Sequence, residues 1–281
     1  MFGFSAHSLR TNARGRGRRG RPSQATWLLI ALACWLFAAM VNASESQQLL
    51  GTAHAAYLAG DFQGADRLLD KLLAKGTSSG RLEMELALVD DALGRPQQAR
   101  RHYDRLGRSV WSDLVALPSA ANLAALGRYR DADRAFAQIA SKGANADEKA
   151  YAQLWRLWLV TRDNASSRRA RDTAFKRLLA AVRPDDAAQH ALVELYRGKA
   201  DSASVFAAID RMPLTLPQRR ALIAEATLFA GGYLQGMRND AAAARWLYQV
   251  ELGLPPVACP ERPLIAQAAR ALPPLPTSNA R

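Results

Sequence analysis

The sequence predicts an all-α protein made of stacked helical hairpins, and three observations predict it. A pattern returns every 33 or 34 residues: GDFQGA (60–65), GRPQQA (94–99) and GRYRDA (127–132) align without gaps as G-x-[F/P/Y]-x-x-A. Downstream of each alanine, apolar residues recur at plus four and plus seven, the spacing of a buried helical stripe: Leu69 and Leu72, Tyr103 and Leu106, Phe136 and Ile139. No run of alternating β-branched residues competes with helix anywhere between residues 44 and 254.

The first segment in chain order, residues 1–43, reads as a leader. Six arginines (Arg10, Arg14, Arg16, Arg18, Arg19, Arg21) stand there without a lysine, aspartate or glutamate, and the apolar run Trp27–Val41 follows. That run is shorter than the roughly 20 residues a spanning helix needs. Small side chains at Val41 and Ala43 fit a cut after Ala43, so a cleaved export signal is expected. An uncleaved inner-membrane anchor formed by residues 27–41 stays open, since a basic flank holds an N-terminus in the cytoplasm. The apolar run explains RGRGRRGRP more simply than a nucleic-acid-binding arm does. Cys34 lies mid-run with Ala31 where a lipobox prefers leucine, which argues against lipid attachment; Gly20-Arg21 after the arginine pair argues against twin-arginine export. The formal charge of +13 is unevenly placed: beyond the leader 32 basic residues face 25 acidic ones. A balance that mild does not demand a polyanionic partner. Export would leave Cys259 as the only thiol, so no internal disulfide is expected.

The repeats come next, over residues 44–254. The glycine of each unit belongs in the turn between two helices, where positive φ is cheap. The aromatic or proline two residues later opens the second helix, and Pro96 suits a first helical turn. The alanine lets that helix sit close to its partner, as do Ala53, Ala87 and Ala120, each 12 residues earlier. Weaker units follow: EKAYAQLWRLWLVTR paired with SRRARDTAFKRLLAAV, then GKADSA (198–203), then GMRNDA (236–241) between ALIAEATLFAGGYLQ and AAAARWLYQVEL. Five or six hairpins result. One hairpin cannot bury its apolar face, so the units stack. Residues 255–281 carry prolines at 255, 256, 260, 263, 273, 274 and 276. This tail should be mostly extended, with one short helix near Leu264–Leu272 capping the array.

GTSSG at 76–80 matches the nucleophile elbow of serine hydrolases letter for letter. Such an elbow needs a strand entering it and a histidine and an acid arriving later. Here a helical stretch precedes and another follows, so Ser78 is expected in a link between repeats. The four histidines are far apart, none at metal-ligand spacing with a partner. Asp90-Asp91 and Asp185-Asp186 are neighbours whose side chains point to different faces; Asp185-Asp186 after Pro184 reads as a helix start. No phosphate-cradling glycine loop appears, and no cofactor or metal is expected.

Helix pairs of this period, with small, glycine, aromatic and alanine positions in this order, resemble tetratricopeptide (TPR) repeats over about 200 residues. The resemblance implies a right-handed α-solenoid of five to six TPR-like hairpins whose inner groove binds peptide segments of partner proteins. A narrower likeness, carried by LWRLWLV, ALVELYRGK and the GMRNDA unit with its flanks, is to the NlpI-type TPR lipoproteins of bacterial envelopes, scaffolds for cell-wall hydrolases and proteases. The missing lipobox departs from that family. TPR geometry would place Gln47, Leu50, His54, Tyr57 and Leu58 on the groove in repeat one, and Arg81, Met84, Leu88, Asp91 and Ala92 in repeat two. Repeat three would add Leu114, Leu117, Ala121, Ala124 and Ala125. His54, Tyr57, Arg81 and Asp91 stand out because core packing does not ask for them. Trp155 and Trp158 share a helix face and could anchor a partner or pack against the next hairpin. Arg168, Arg169, Arg171 and Lys176 could receive an anionic patch or form a solvated face. The expected function is that of a non-enzymatic periplasmic scaffold binding a peptide segment or helix of an envelope protein: a cell-wall enzyme, or a secretion or polysaccharide-export component. An inner-membrane-anchored assembly factor and a divergent hydrolase without a recognisable motif remain the alternatives.

Overall fold

A computed structural model describes residues 44–163 and 166–273; the leader, with the export-signal and anchor readings of 1–43 and 27–41, lies outside the described residues. The described residues form fourteen helices and no strand. Helix α1 covers residues 44–58. There follow α2 (Phe62–Ala74), α3 (Gly80–Ala92), α4 (Pro96–Leu106), α5 (Val110–Leu114), α6 (Ala116–Ala125) and α7 (Tyr129–Lys142). The second half holds α8 (Ala146–Thr161), α9 (Arg168–Ala181), α10 (Ala187–Tyr196), α11 (Ser202–Asp210), α12 (Leu216–Gly236), α13 (Ala241–Leu252) and α14 (Glu261–Ala271). No described helix is long and apolar enough to cross a membrane.

Each letter of the repeated pattern has a physical job. Gly60, Gly94, Gly127 and Gly198 have φ of +82°, +73°, +72° and +72°, the left-handed region that reverses the chain after a helix. Phe62, Pro96 and Tyr129 are the first residues of α2, α4 and α7. Ala65, Ala99 and Ala132 are wholly buried, which lets backbones approach where a larger side chain would hold them apart. The residues four and seven further on are buried in all three units. Aspartates and serines then cap the helix starts: Asp61, Ser79, Ser167, Asp186, Asp201 and Asp240 each accept a backbone N–H from the first turn. In GTSSG it is Ser79 that caps α3, while Ser78 is an exposed loop residue.

Two local expectations need correction. In GMRNDA the glycine does not make the turn. Gly236 is the last residue of α12, and the left-handed position falls to Asn239 at φ 57°. Gly236 is small for another reason: a Cβ there would sit 2.5 Å from the Thr161 carbonyl oxygen of α8. The first helix of repeat three is also split, into α5 and α6. Pro118 has no N–H to bond the Leu114 carbonyl, and its ring collides with that carbonyl in a continuous helix. The break falls at Val115, and Leu114 is left exposed at the end of α5.

Helices pack in neighbouring pairs, α3 with α4, α6 with α7, α10 with α11 and α12 with α13. The second half departs from one-after-the-next stacking, because the 21-residue α12 packs against both α8 and α10. Helix α14 does not sit as a lid on the last hairpin alone. It packs against α12 and α13 and also reaches α6 and α3, far earlier in the chain.

Candidate functional site

The residues that the sequence reading expects on a groove in the first three repeats lie on α1, α3, α5 and α6. On α1 and α3, His54 Nδ1 lies 3.1 Å from the carboxylate of buried Glu85. Arg81 donates to Gln47 Oε1 at 3.2 Å across the same two helices. Met84 and Leu88 are half-buried and pack on a small core of Ala87, Ala99, Tyr103, Leu106 and Val115. Asp91 accepts from the Tyr103 hydroxyl at 3.0 Å and from Asn122 Nδ2 at 2.7 Å. Burial pushes the Asp91 carboxyl up to about 7 against the pull of those two donors. Burial likewise raises the Tyr57 and Tyr103 hydroxyls.

These residues meet the tail of their own chain. Tyr57, Leu88, Asp91, Ala92, Ala121 and Ala125, all expected on the groove, surround one cavity of about 30 Å³ together with Tyr103, Asn122 and Pro118. Its remaining wall is Cys259, Pro260 and Pro263. Upstream, Pro256 lies so close to Gly60 that a Cβ on the glycine would meet the Pro256 carbonyl oxygen at 2.5 Å. Downstream, Gln267 Nε2 donates to the Ala125 carbonyl at the end of α6, at 3.3 Å. The segment 255–272 therefore runs over the first helices of several pairs.

Polar contacts fasten it at its middle. Arg262 donates to Glu251 Oε1 at 2.7 Å and to the carbonyls of Leu252 and Leu254 at 3.2 and 2.8 Å, closing the C-terminus of α13. Glu251 is 2% exposed, so this ion pair is buried. The Tyr151 hydroxyl of α8 donates to the carboxyl of Glu261, which burial pushes up to about 7. Glu225 on α12 is raised well above the usual carboxylate range, by burial and then by the charge of Glu261. The Cys259 thiol is also pushed up by burial, so it is a poor nucleophile there.

Trp155 and Trp158 correct the expectation of a partner anchor. They are 0% and 3% exposed. Trp155 stacks on Phe136 at 5.0 Å and meets Phe229 edge-on at 5.5 Å. Trp158 lies against Gly232, where a Cβ would come within 2.4 Å of its ring. Both indoles are core, out of a partner's reach. Leu117 is half-buried against the same large core. Leu50 is buried in the α1–α3 core, and Leu58 is exposed. On α9, Arg168, Arg169 and Lys176 face solvent, whereas Arg171 donates to the Asp163 carbonyl at 3.4 Å.

The sequence reading missed Tyr103, Asn122, Cys259, Pro260, Glu261 and Pro263 as members of this site. In sequence Tyr103 reads as plain stripe, and the tail as mostly extended chain with one short helix capping the array. One signal was available: Leu264, Ile265, Ala268 and Leu272 keep helical spacing, so the tail helix has an apolar face that must be buried somewhere. No protein-family model matches the chain, and no curated protein is similar to it.

Proposed function

We propose that the protein is an exported binding scaffold, a right-handed solenoid of five to six TPR-like hairpins, which holds a peptide segment or helix of an envelope protein. One observation carries the reading: residues 255–272, an irregular proline-bearing lead followed by a helix, lie over the first helices of several pairs. A surface that seats such a segment from its own chain has the shape and chemistry to seat one from another protein. The left-handed glycines at 60, 94 and 127 and the buried alanines behind them support the TPR-like part of the proposal. The leader supports the periplasmic part: arginines, then an apolar run, then Val41 and Ala43 at a cleavage-like site.

The test is capture from envelope extracts with the full-length gene product tagged at its C-terminus, the mature N-terminus being read by mass spectrometry. A start at Ser44 together with a specific envelope protein, cross-linked to α1, α3 or α6, is the expected result. An intact leader in the membrane fraction would replace the soluble scaffold by an assembly factor anchored through residues 27–41. Failure to capture any protein, with turnover of an envelope substrate by the pure chain, would overturn the scaffold and favour a hydrolase.

A further inference from the structure

The two halves of the tail are seated differently. Leu264, Ile265 and Ala268 of α14 are buried in the large core beside α12 and α13. Of residues 255–260, only Val257 is buried, at the edge of that same core; Pro255 and Pro256 are exposed and Ala258, Cys259 and Pro260 half-buried. Below this lead the contact is incomplete. The cavity lined by Tyr57, Leu88, Tyr103, Pro260 and Pro263 stays open, and Asn122, 2% exposed, has no hydrogen-bond partner for Oδ1 on its edge. Buried amide oxygens are nearly always satisfied, so this one marks a place where a donor is wanted. Prolines lack an N–H and cannot supply it. Rings of proline against tyrosines are the chemistry by which aromatic-lined grooves take extended proline-bearing peptides.

We propose that residues 255–260 are a resident ligand of the α1–α3–α6 face, and that the partner carries an extended proline-containing segment that takes their place. This rests on the binding reading above and specifies its partner. The incoming segment sets a proline ring against Tyr57 and Tyr103 and directs a backbone or side-chain N–H at Asn122 Oδ1. Helix α14 stays docked through Leu264 and Ile265, so the displaced lead remains tethered a few residues away. Tethering keeps its local concentration high and lowers the apparent affinity for any partner by the fraction of time the face is free.

The experiment uses the full-length chain and two readouts. In native-state hydrogen exchange, the amides of Val257, Ala258 and Cys259 should exchange through a local opening, roughly tenfold or more faster than the buried amides of α12. A fluorescent peptide of sequence LPPVACP, residues 254–260, should bind a Val257→Ser chain roughly tenfold more tightly than wild type, because the lead has lost its one buried side chain. The same peptide with Pro260→Ala should bind that chain roughly tenfold more weakly. Exchange of the lead only through global unfolding would make it a permanent part of the core and overturn the proposal. Equal peptide binding by wild type and Val257→Ser would overturn it too. Local opening and peptide binding, with no envelope protein captured, would instead retain the resident ligand and remove the envelope partner.

Discussion

Glu261 is placed where ionisation is costly: it is 1% exposed, its nearest donor is the Tyr151 hydroxyl, and burial raises its carboxyl to about 7. Asp91, Glu225 and Glu251 are shifted the same way, each chiefly by burial. Between the ordinary carboxylate range and pH 7 the folded chain keeps protons that the unfolded chain has released. Stability therefore falls as pH rises across that window and is fullest at its acid end. Asp131, half-buried between Arg128 and Arg134, and exposed Asp201 are shifted down, so their opposite contribution is lost only below the ordinary aspartate value. The urea midpoint should be lower near pH 7.5 than near pH 5, and Glu261→Gln should remove a share of that slope on the order of 3 kcal/mol. An unchanged slope in Glu261→Gln would assign the effect to the other carboxyls raised by burial, Asp90, Asp91, Asp147, Glu225 and Glu251. Two glycines make a second contrast at this scale. Gly94 has open space around it but φ +73°, whereas Gly236 is helical and abuts the Thr161 backbone. Gly94→Ala should cost about 1–2 kcal/mol, with much of it recovered in Gly94→Asn, since asparagine tolerates the left-handed region. Gly236→Ala should cost about 1–3 kcal/mol by forcing α8 and α12 apart, and Gly236→Asn should be worse. Denaturant titration of the four variants separates strain from collision.

At the scale of elements, the hairpins of the first half were legible because their signals are local. A glycine, a helix-opening residue and an alanine lie within six positions of one another, and the stripe that follows has one possible face. The break between α5 and α6 was legible in principle, since Pro118 sits four residues after Leu114, but the apolar stripe outweighed it. The destination of α14 was not legible. An 11-residue helix shows which of its faces is apolar, yet nothing local says whether that face covers the end of an array or its side. Its anchors, Arg262 to Glu251 and Tyr151 to Glu261, join residues whose types suggest solvent rather than burial. Trp155 and Trp158 left two readings open for a related reason: their spacing gives only a shared face, and the positions of Phe136, Phe229 and Gly232 enclose it. If α14 is a core element as its burial indicates, Ile265→Ala should cost about 2–4 kcal/mol in urea, comparable to a truncation beside Trp155. A cost below about 1 kcal/mol would mean that the whole helix, and not only its lead, exchanges between docked and free states.

Across the whole chain the core is divided. One cluster joins α1, α2 and α3 through Leu50, Leu69, Leu72, Leu82 and Leu86. A second is centred on Tyr103, and the third and largest extends from α6 to α14. In stacked helical pairs each unit touches mainly its neighbours, so a local weakness spreads only as far as the interfaces that carry it. The tail changes this by linking α1, α3, α6, α8 and α12 across more than a hundred residues of sequence, as the Tyr151–Glu261 and Gln267–Ala125 contacts do. It should make the first cluster open together with the third. Leu69→Ala, which leaves a cavity in the first cluster, should then lower the hydrogen-exchange protection of α2 and, to a smaller degree, that of the lead at Val257 to Cys259 and of α8. Combining it with Val257→Ser should split the single urea transition into two, with α1–α3 opening at the lower concentration. Independent, additive losses in the double variant with one transition would show that the tail rests on the early helices without coupling them.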